Sequence, residues 1–375
     1  MKSGSGVFYH PELDALRFVA FFLVFLAHAV YYVDIDWVHL SRAAYVPMFS
    51  IHGAGYYGVD LFFVLSSYLI TELFLREQDK TGSIHLPQFY LRRILRIWPL
   101  YFFFLLAVRP LVGLFVPGEH LSKGVLASFL LLVGNWNCVW WGWPPSIASQ
   151  LWSVTVEEQF YLAWPLAMGR WSSRLPSIAV GMLWVANLTR LAFVMWPRSD
   201  SAIWCNTLAR LDPIAGGILL AHWLHGRENR LPGWVRWQLG LGAVALLLFV
   251  GYYGDHTDWR ALFSYPLADL GCVMLVAGVL VPQGSWHPGW MGKACIYLGQ
   301  ISYGLYVYHL VGFEVVRRFW KVNVPLTMLL ALLLSIGMAA VSYRLLEMPF
   351  LKLKRRFTLV RSRDTEVTEE VLAVR

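Results

Sequence analysis

The stretch LDALRFVAFFLVFLAHAVYYV, residues 13–33, is apolar almost throughout and is long enough to cross a bilayer as a helix. Asp14 and Arg17 nevertheless stand near its start, and His28 stands near its middle. Ionisable side chains are costly in hydrocarbon, so those found inside a membrane segment usually have a function. The stretch therefore predicts a transmembrane helix that carries a functional imidazole.

The whole chain has the composition of an integral membrane protein. Of its 375 residues, 58% are hydrophobic and 14% are charged, whereas soluble domains carry about 25% charged residues. Apolar segments of spanning length recur along the sequence, and the short alternating segments of a β-barrel are absent from it. We therefore predict an all-α polytopic membrane protein.

The number of crossings follows from the lengths of the apolar segments. Uninterrupted spans are predicted at residues 13–33, 55–75, 97–116, 177–196, 206–224, 237–253, 261–281, 296–316 and 325–347. A broken region at 124–168 contains Pro144 and Pro145, which exclude a continuous helix, and it counts as one crossing with a partly inserted loop. The prediction is about ten transmembrane helices with both termini on one side.

The distribution of Lys and Arg predicts which side that is. Most of the 31 basic residues fall in segments on the side of the termini, and basic loops are typically cytoplasmic. The net charge of +8 is explained in this way, without nucleic-acid binding. We expect a multi-pass protein of the cytoplasmic (inner) membrane, with a transmembrane domain over 1–350 and a cytoplasmic tail of mixed charge over 351–375.

The cysteines indicate neither a metal site nor a disulfide framework. Cys138, Cys205, Cys272 and Cys295 are scattered without CxxC spacing, which is typical of buried free thiols.

Polar residues of the first span lie on one face of the predicted helix. An α-helix turns by about 100° per residue, so the step from Arg17 to His28 completes about three turns over ~16 Å. Asp14 lies one turn before Arg17 and is placed to pair with it. A basic side chain at a helix end commonly reaches back to the interface, whereas an imidazole in mid-span favours a functional role.

The second span, GVDLFFVLSSYLITELFL at residues 58–75, carries Asp60 at its outer end and Ser66 in its middle. Small hydroxyl side chains in a membrane helix often serve only helix packing. A carboxylate that enters the membrane is less easily explained by packing.

The segment FYLRRILRIWPLY, residues 89–101, is predicted to place Arg92, Arg93 and Arg96 in a loop at the cytoplasmic mouth of the third span. The bias of basic residues toward the cytoplasm explains such a cluster. Closely spaced guanidinium groups also suit a polyanion such as a nucleotide phosphate. Charge alone leaves both explanations open.

Two adjacent carboxylates occur in LWSVTVEEQFYLAWPL, residues 151–166. They cannot share a helix face, and Ser153, Glu157 and Tyr161 form one polar stripe at intervals of four residues. We predict that Glu157 points inward and that Glu158 is interfacial. Further polar groups in or near membrane segments are Trp152, Tyr303, His309 and Glu347.

Taken together, these motifs resemble the membrane-bound acyltransferase-3 family. The likeness extends in order and spacing from ELDALRFVAFFLVFLAH through GVDLFFVLSSYLIT, LRRILRIWPLY and LWSVTVEEQFYLAWP to ISYGLYVYHL and RLLEMPF. The resemblance implies transfer of an acyl group, usually acetyl from acetyl-CoA, to a hydroxyl of a carbohydrate such as a surface polysaccharide or a lipid-linked glycan. Acyl-CoA would be a co-substrate, with no permanently bound cofactor and no metal.

The resemblance implies functional roles for Arg17 and His28 in the first helix and for the arginine motif at Arg92, Arg93 and Arg96. His28 and Glu157 are the expected catalytic residues, and Glu157 or Asp60 is expected either to orient His28 or to bind sugar hydroxyls. The arginines Arg17, Arg92, Arg93 and Arg96 are expected to bind the phosphates of the donor. Expected acceptor-binding or supporting residues are Asp14, Asp60, Ser66, Trp152, Ser153, Tyr303 and His309.

Two mechanisms and one rival function fit the sequence. An imidazole with a reference pKa near ~6.5 suits a general base, and a covalent acyl-histidine is the alternative. A secondary transporter or flippase of lipid-linked sugars would also have polar residues at the midplane, although no repeat of broken helices in matching halves is visible.

Overall fold

The computed structural model describes residues 8–32, 41–227, 231–282, 286–320 and 322–357, and every regular element within these ranges is a helix. The first half contains α1 (Pro11–Tyr32), α2 (Arg42–Tyr56), α3 (Gly58–Thr81), α4 (Leu86–Phe103), α5 (Arg109–Gly113), α6 (Lys123–Leu130), α7 (Gly134–Trp141) and α8 (Trp152–Trp171). The second half contains α9 (Leu175–Met195), α10 (Leu211–Leu224), α11 (Gly233–Tyr253), α12 (Ala261–Val279), α13 (Trp290–Gln300), α14 (Ser302–Phe319), α15 (Val324–Ser342) and α16 (Met348–Lys354).

Length and composition confirm a polytopic membrane protein. Among the described residues, seven helical segments are long and apolar enough to cross a bilayer: Pro11–Val30, Arg42–Thr81, Leu86–Gly113, Ile147–Met195, Gly233–Tyr253, Ala261–Val279 and Val324–Lys354. The total of about ten crossings and the cytoplasmic termini stay predictions. Most of the predicted tail, from residue 358 onward, lies outside the described ranges.

Three boundaries differ from the predicted spans. Helix α2 was not predicted, because at 15 residues with Pro47 inside it is too short to give a spanning signal. Helix α4 begins at Leu86, so Arg92, Arg93 and Arg96 lie on a helix and not in a loop. Hydropathy predicts the start of that span too late, because the arginines lower the local hydropathy although the apolar face of the helix continues past them.

The third difference is that the span predicted at 296–316 is divided at Ile301 into α13 and α14. By contrast, the break expected at Pro144 and Pro145 is present, between α7 and a 3₁₀ turn that leads into α8.

Close helix crossings hold the elements that carry the site. Helix α3 packs extensively against α10, and a Cβ added at Gly217 of α10 would lie 2.5 Å from the carbonyl oxygen of Val64 of α3. Helix α1 packs against α13, where a Cβ at Gly299 would lie 1.7 Å from the carbonyl oxygen of Asp14. Only glycine permits these backbone approaches, which fix α1 and α3 in the middle of the bundle.

Candidate functional site

A cavity of about 240 Å³ opens among α1, α3, α4, α8, α14 and the segment 343–354. Arg17, Arg92, Arg93 and Arg96 all line it, and we call the end of the bundle at which they lie the arginine end. The structure therefore brings together every arginine that the sequence assigned to donor binding. The same cavity is lined by Asp14, Ser66, Ser153, Glu157 and Tyr303.

Most of the lining charge is already matched. The lining contains five cations, namely the four arginines and Lys354, and four carboxylates. Asp14 accepts a hydrogen bond of 2.8 Å from Arg17 and one of 3.2 Å from the Tyr9 hydroxyl. Arg92 donates to the carbonyl oxygen of Phe357 at 2.8 Å and lies 3.7 Å from Glu77. Arg96 interacts electrostatically with Glu347.

Arg93 differs from its neighbours. Its guanidinium lies over the rings of Tyr161 and Phe89, at 5.1 Å and 5.3 Å from their centroids. Within the described part of the chain it forms no ion pair, and its buried Nε has no hydrogen-bond partner. Arg93 is thus the lining arginine with the most unused capacity to bind an anion.

Glu157 lies where the polar stripe of α8 meets α3. Its Oε1 accepts hydrogen bonds from the hydroxyl groups of Ser66 and Tyr161. Ser153, one turn earlier, has its Oγ 2.6 Å from the Tyr306 hydroxyl. Glu158 does not line the cavity, and it accepts a hydrogen bond of 2.9 Å from the indole Nε1 of Trp98 on α4. The sequence did not predict that Trp98 would bind Glu158, because Trp98 comes from another helix.

The cavity ends within the bundle near Tyr306, and we call this its inner end. His28 lies beyond the inner end and is not among the residues that line the cavity. Its ring stands 4.9 Å from the ring of His309, which is fully buried on α14. The cavity-lining residue Tyr306 contacts His309 at a ring distance of 5.7 Å. Tyr306 therefore lies between the cavity that contains Glu157 and the pair formed by His28 and His309.

Neither Glu157 nor Asp60 contacts His28 among the described residues, so the structure does not show the orienting contact, and the alternative role in binding sugar hydroxyls stays a prediction. Within the described residues, neither carboxylate forms an ion pair with His28. The Nδ1 of His28 instead lies 2.9 Å from the carbonyl oxygen of Val24. Asp60 forms a fully buried ion pair with Arg210. The physical reason is that Arg210 is a closer and permanently charged partner for Asp60.

Trp152 and Asp60 belong to an aromatic and ionic cluster away from the cavity. The Arg210 guanidinium stands 4.3 Å from the Trp204 ring centroid and 6.0 Å from that of Trp152. A second buried ion pair joins Arg190 to Asp212 at 2.8 Å. Sequence reasoning missed Arg210, because its partner Asp60 comes from a distant part of the sequence.

The loop before α12 closes this cluster. His256 contacts the ring of Trp204 at 4.5 Å and that of Tyr57 at 5.5 Å. Burial, supported by the nearby charge of Arg210, lowers the pKa of His256 to about 4. His256 is therefore neutral at pH 7 and acts here as a packing group.

The other predicted residue of the cavity, Tyr303, donates its hydroxyl proton to the carbonyl oxygen of Ile97 at 3.1 Å. Sequence reasoning missed Glu77, Tyr306 and Tyr343 as lining residues. Among the described residues, no group of three or more His, Cys, Asp or Glu side chains is arranged to hold a metal ion.

Comparison with known proteins finds one family over almost the whole chain. The family model described as an acyltransferase domain, the acyltransferase-3 model, matches residues 10–346. The chain is 28% identical, over 80% of its length and 49% of the relative's, to the peptidoglycan O-acetyltransferase OatA of Listeria monocytogenes. It is 24% identical, over 98% of its length and 61% of the relative's, to the O-acetyltransferase OatA of Staphylococcus aureus strain MRSA252.

A further relative, from Staphylococcus aureus strain MSSA476, bears the name "Putative O-acetyltransferase SAS0844" and is 26% identical over 92% of this chain. The chain spans 58% of that relative's length. No solved structure gives a significant match.

Proposed function

The chain belongs to the acyltransferase-3 family, and on this premise we propose that it is a membrane O-acyltransferase that moves an acyl group, acetyl in the simplest form, from acyl-CoA to a hydroxyl group of a carbohydrate. The observation that carries the proposal is the cavity itself. Its arginine end carries four guanidinium groups, and its inner end reaches Tyr306, next to the two histidines.

The donor would bind at the arginine end. The phosphates of CoA are anionic, and guanidinium groups bind phosphate with directed, charge-assisted hydrogen bonds. Arg93, which forms no ion pair with the described residues, would bind a phosphate directly, while Arg17 and Arg92 would extend the site after exchanging their present partners. The pantetheine arm would then run along the cavity past Glu157 toward Tyr306.

The acyl transfer would take place at Nε2 of His28. Nδ1 faces a carbonyl oxygen, which only accepts hydrogen bonds, so Nδ1 carries the proton and Nε2 carries the lone pair. As a general base, Nε2 removes the hydroxyl proton while the oxygen attacks the thioester carbonyl. The C–S bond then breaks, and the leaving thiolate takes the proton from the imidazolium. The products are the ester and free CoA.

A covalent route uses the same atom. Nε2 would attack the thioester, the thiolate would leave, and the acceptor hydroxyl would then displace the imidazole, its proton passing to the thiolate or to solvent. Because His28 does not line the cavity in this structure, side chains at the end of the cavity near Tyr306 must move in either route before the thioester reaches Nε2.

The acceptor is proposed to be a surface polysaccharide or a lipid-linked glycan. Two relatives with O-acetyltransferase names, one of them specific for peptidoglycan by its name, support a carbohydrate acceptor. The test is mass spectrometry of cell-surface glycans from cells with and without the chain. The proposal expects loss of an acyl mass from the glycan, in the simplest form that of an acetyl group. Unchanged glycan acylation together with altered export of lipid-linked sugar would favour the transporter instead.

A further inference from the structure

The adjoining rings of His28 and His309 carry an inference that rests on the proposed function and goes beyond it. His28 and His309 come from α1 and α14, and their rings meet edge to face at 4.9 Å with an interplanar angle of 73°. His309 is fully buried, and its Nε2 has no hydrogen-bond partner among the described residues. Buried polar groups without partners are rare and costly, so this one requires an explanation.

The hydrogen bonds of the pair define the tautomer of each ring. Nδ1 of His309 lies 2.7 Å from the carbonyl oxygen of Tyr306, and Nδ1 of His28 lies 2.9 Å from that of Val24. A carbonyl oxygen only accepts, so both Nδ1 atoms are donors. In the neutral pair, both Nε2 atoms therefore carry lone pairs, and neither can donate to the other.

A positive charge on His28 would form beside a neutral neighbour. When His28 accepts a proton or an acyl group at Nε2, its ring becomes a cation. The ring of a neutral His309, whose Nε2 keeps a free lone pair, then lies against that cation with the ring centroids 4.9 Å apart. No carboxylate among the described residues pairs with either ring, and the position that the carboxylate of a Ser-His-Asp triad has at Nδ1 is taken for His28 by the carbonyl oxygen of Val24.

From this geometry we propose that His309 is the positioning residue of the reaction, which holds the ring of His28 and stabilises its cationic form during acyl transfer. His309 does not touch the acyl group. The proton balance is that of the proposed function: the proton moves from the acceptor hydroxyl to His28 and then to the CoA thiolate, while His309 stays neutral throughout.

A pair of substitutions separates the two nitrogen atoms of His309. The side-chain amide of His309→Asn places an N–H donor near the position of Nδ1, so the bond to the Tyr306 carbonyl is kept and Nε2 is deleted. His309→Gln reaches the position of Nε2 with an amide oxygen that accepts and does not titrate. His120→Asn, at an exposed position between α5 and α6, is the matched control.

The assay uses membrane vesicles from a strain of the source organism that lacks the chromosomal copy and carries each variant, so the natural acceptor is present. Isotope-labelled acetyl-CoA is the donor, and the label in glycan is measured per amount of inserted protein. We expect His309→Asn to lower kcat by about 10²-fold or more without changing the KM for acetyl-CoA. His309→Gln should retain clearly more activity than His309→Asn, and His120→Asn should match the wild type.

Each possible result has one meaning. Wild-type kcat in His309→Asn, with His28→Ala inactive, overturns the inference and leaves the proposed function standing. Equal losses in the Asn and Gln variants, accompanied by a changed donor KM, reduce His309 to a packing residue and also overturn it. No label with the wild-type chain, or full activity in His28→Ala, overturns the proposed function itself. If His309→Asn fails to insert, His309→Gln decides by its kcat and donor KM, because a packing defect would change both.

Discussion

Glu157 and Glu158 are adjacent and chemically alike, yet their surroundings differ. Glu157 faces the cavity and accepts two hydroxyl groups, whereas Glu158 accepts the indole N–H of Trp98 away from the cavity lining. The difference arises because successive residues of a helix point about 100° apart. An ionised Glu157 would stabilise a positive charge that develops on a bound substrate or on a nearby side chain.

We predict that Glu157→Gln lowers kcat by about 10²-fold or more, because it removes the negative charge from the cavity while preserving the shape of the side chain. Glu158→Gln is the matched control and should change kcat little, since an amide oxygen still accepts from Trp98. Steady-state kinetics of acetyl transfer check both variants. Equal losses in the two would show that the cavity-facing position of Glu157 does not matter for the reaction.

Arg93 offers the sharpest test of donor binding. Because its guanidinium forms no ion pair with a carboxylate among the described residues, Arg93→Ala should raise the KM for acetyl-CoA about tenfold or more, through loss of a charge-assisted phosphate contact. The KM for the acceptor should stay the same. Arg174→Ala, at an exposed position after α8, is the control. Equal changes in both KM values would show that the arginines do not bind the donor and only reflect the bias of basic residues toward the cytoplasm.

At the residue scale, most of the residues that the sequence predicted for the site line the cavity, but the sequence did not predict the inner end of the cavity. The stripe of Ser153, Glu157 and Tyr161 was predictable from helical spacing, and all its members line the cavity. The position of Tyr306 between the cavity and the histidine pair could not be predicted, because it depends on how α14 packs against α1. The pairing of Asp60 with Arg210 was missed for the same reason, since the two residues are 150 positions apart in the sequence.

At the scale of helices, α3 and α10 are joined by charge as well as by packing. The ion pair of Asp60 and Arg210 is fully buried between them, next to the close approach at Gly217. A buried pair of this kind contributes little net stability, but removing one partner leaves an uncompensated buried charge. Asp60 is thus placed to serve stability, and its supporting role in the reaction stays a prediction.

We expect Asp60→Asn to destabilise the protein by about 3–5 kcal/mol, because Arg210 remains charged and buried without its partner. The double variant Asp60→Leu, Arg210→Met should recover much of this loss. Unfolding of the purified protein in detergent, followed by a thermal or denaturant titration, measures both. A stable but inactive Asp60→Asn variant would instead assign Asp60 to the chemistry.

Helix boundaries were predictable where hydropathy is uniform and unpredictable where polar residues interrupt it. The first span and the break at Pro144 and Pro145 agree with the structure to within a few residues. Helix α2 and the start of α4 do not, because glycine, proline and arginine lower the local hydropathy without ending the helix. Packing against neighbouring helices supplies the stability that these segments lack on their own.

At the scale of the whole molecule, the account requires the arginine end to face the cytoplasm, where CoA is made. A reporter fused after Arg375 should therefore be cytoplasmic, and a cysteine placed near Trp37 should react with an impermeant reagent added outside; both positions lie outside the described residues. The expectation rests on the excess of basic residues on the side of the termini. An external C-terminus would contradict the single crossing assigned to residues 124–168.

The central claim is that acyl groups pass from a CoA thioester to a carbohydrate through His28. The most direct measurement supplies labelled acetyl-CoA to inverted membrane vesicles, which expose the cytoplasmic face, and compares the wild-type chain with His28→Ala at equal levels of inserted protein. If His28 carries out the transfer, label appears in glycan and free CoA is released with the wild-type chain, and neither rises above background with the variant. Transfer at the wild-type rate by His28→Ala, or no transfer by the wild-type chain, would contradict it.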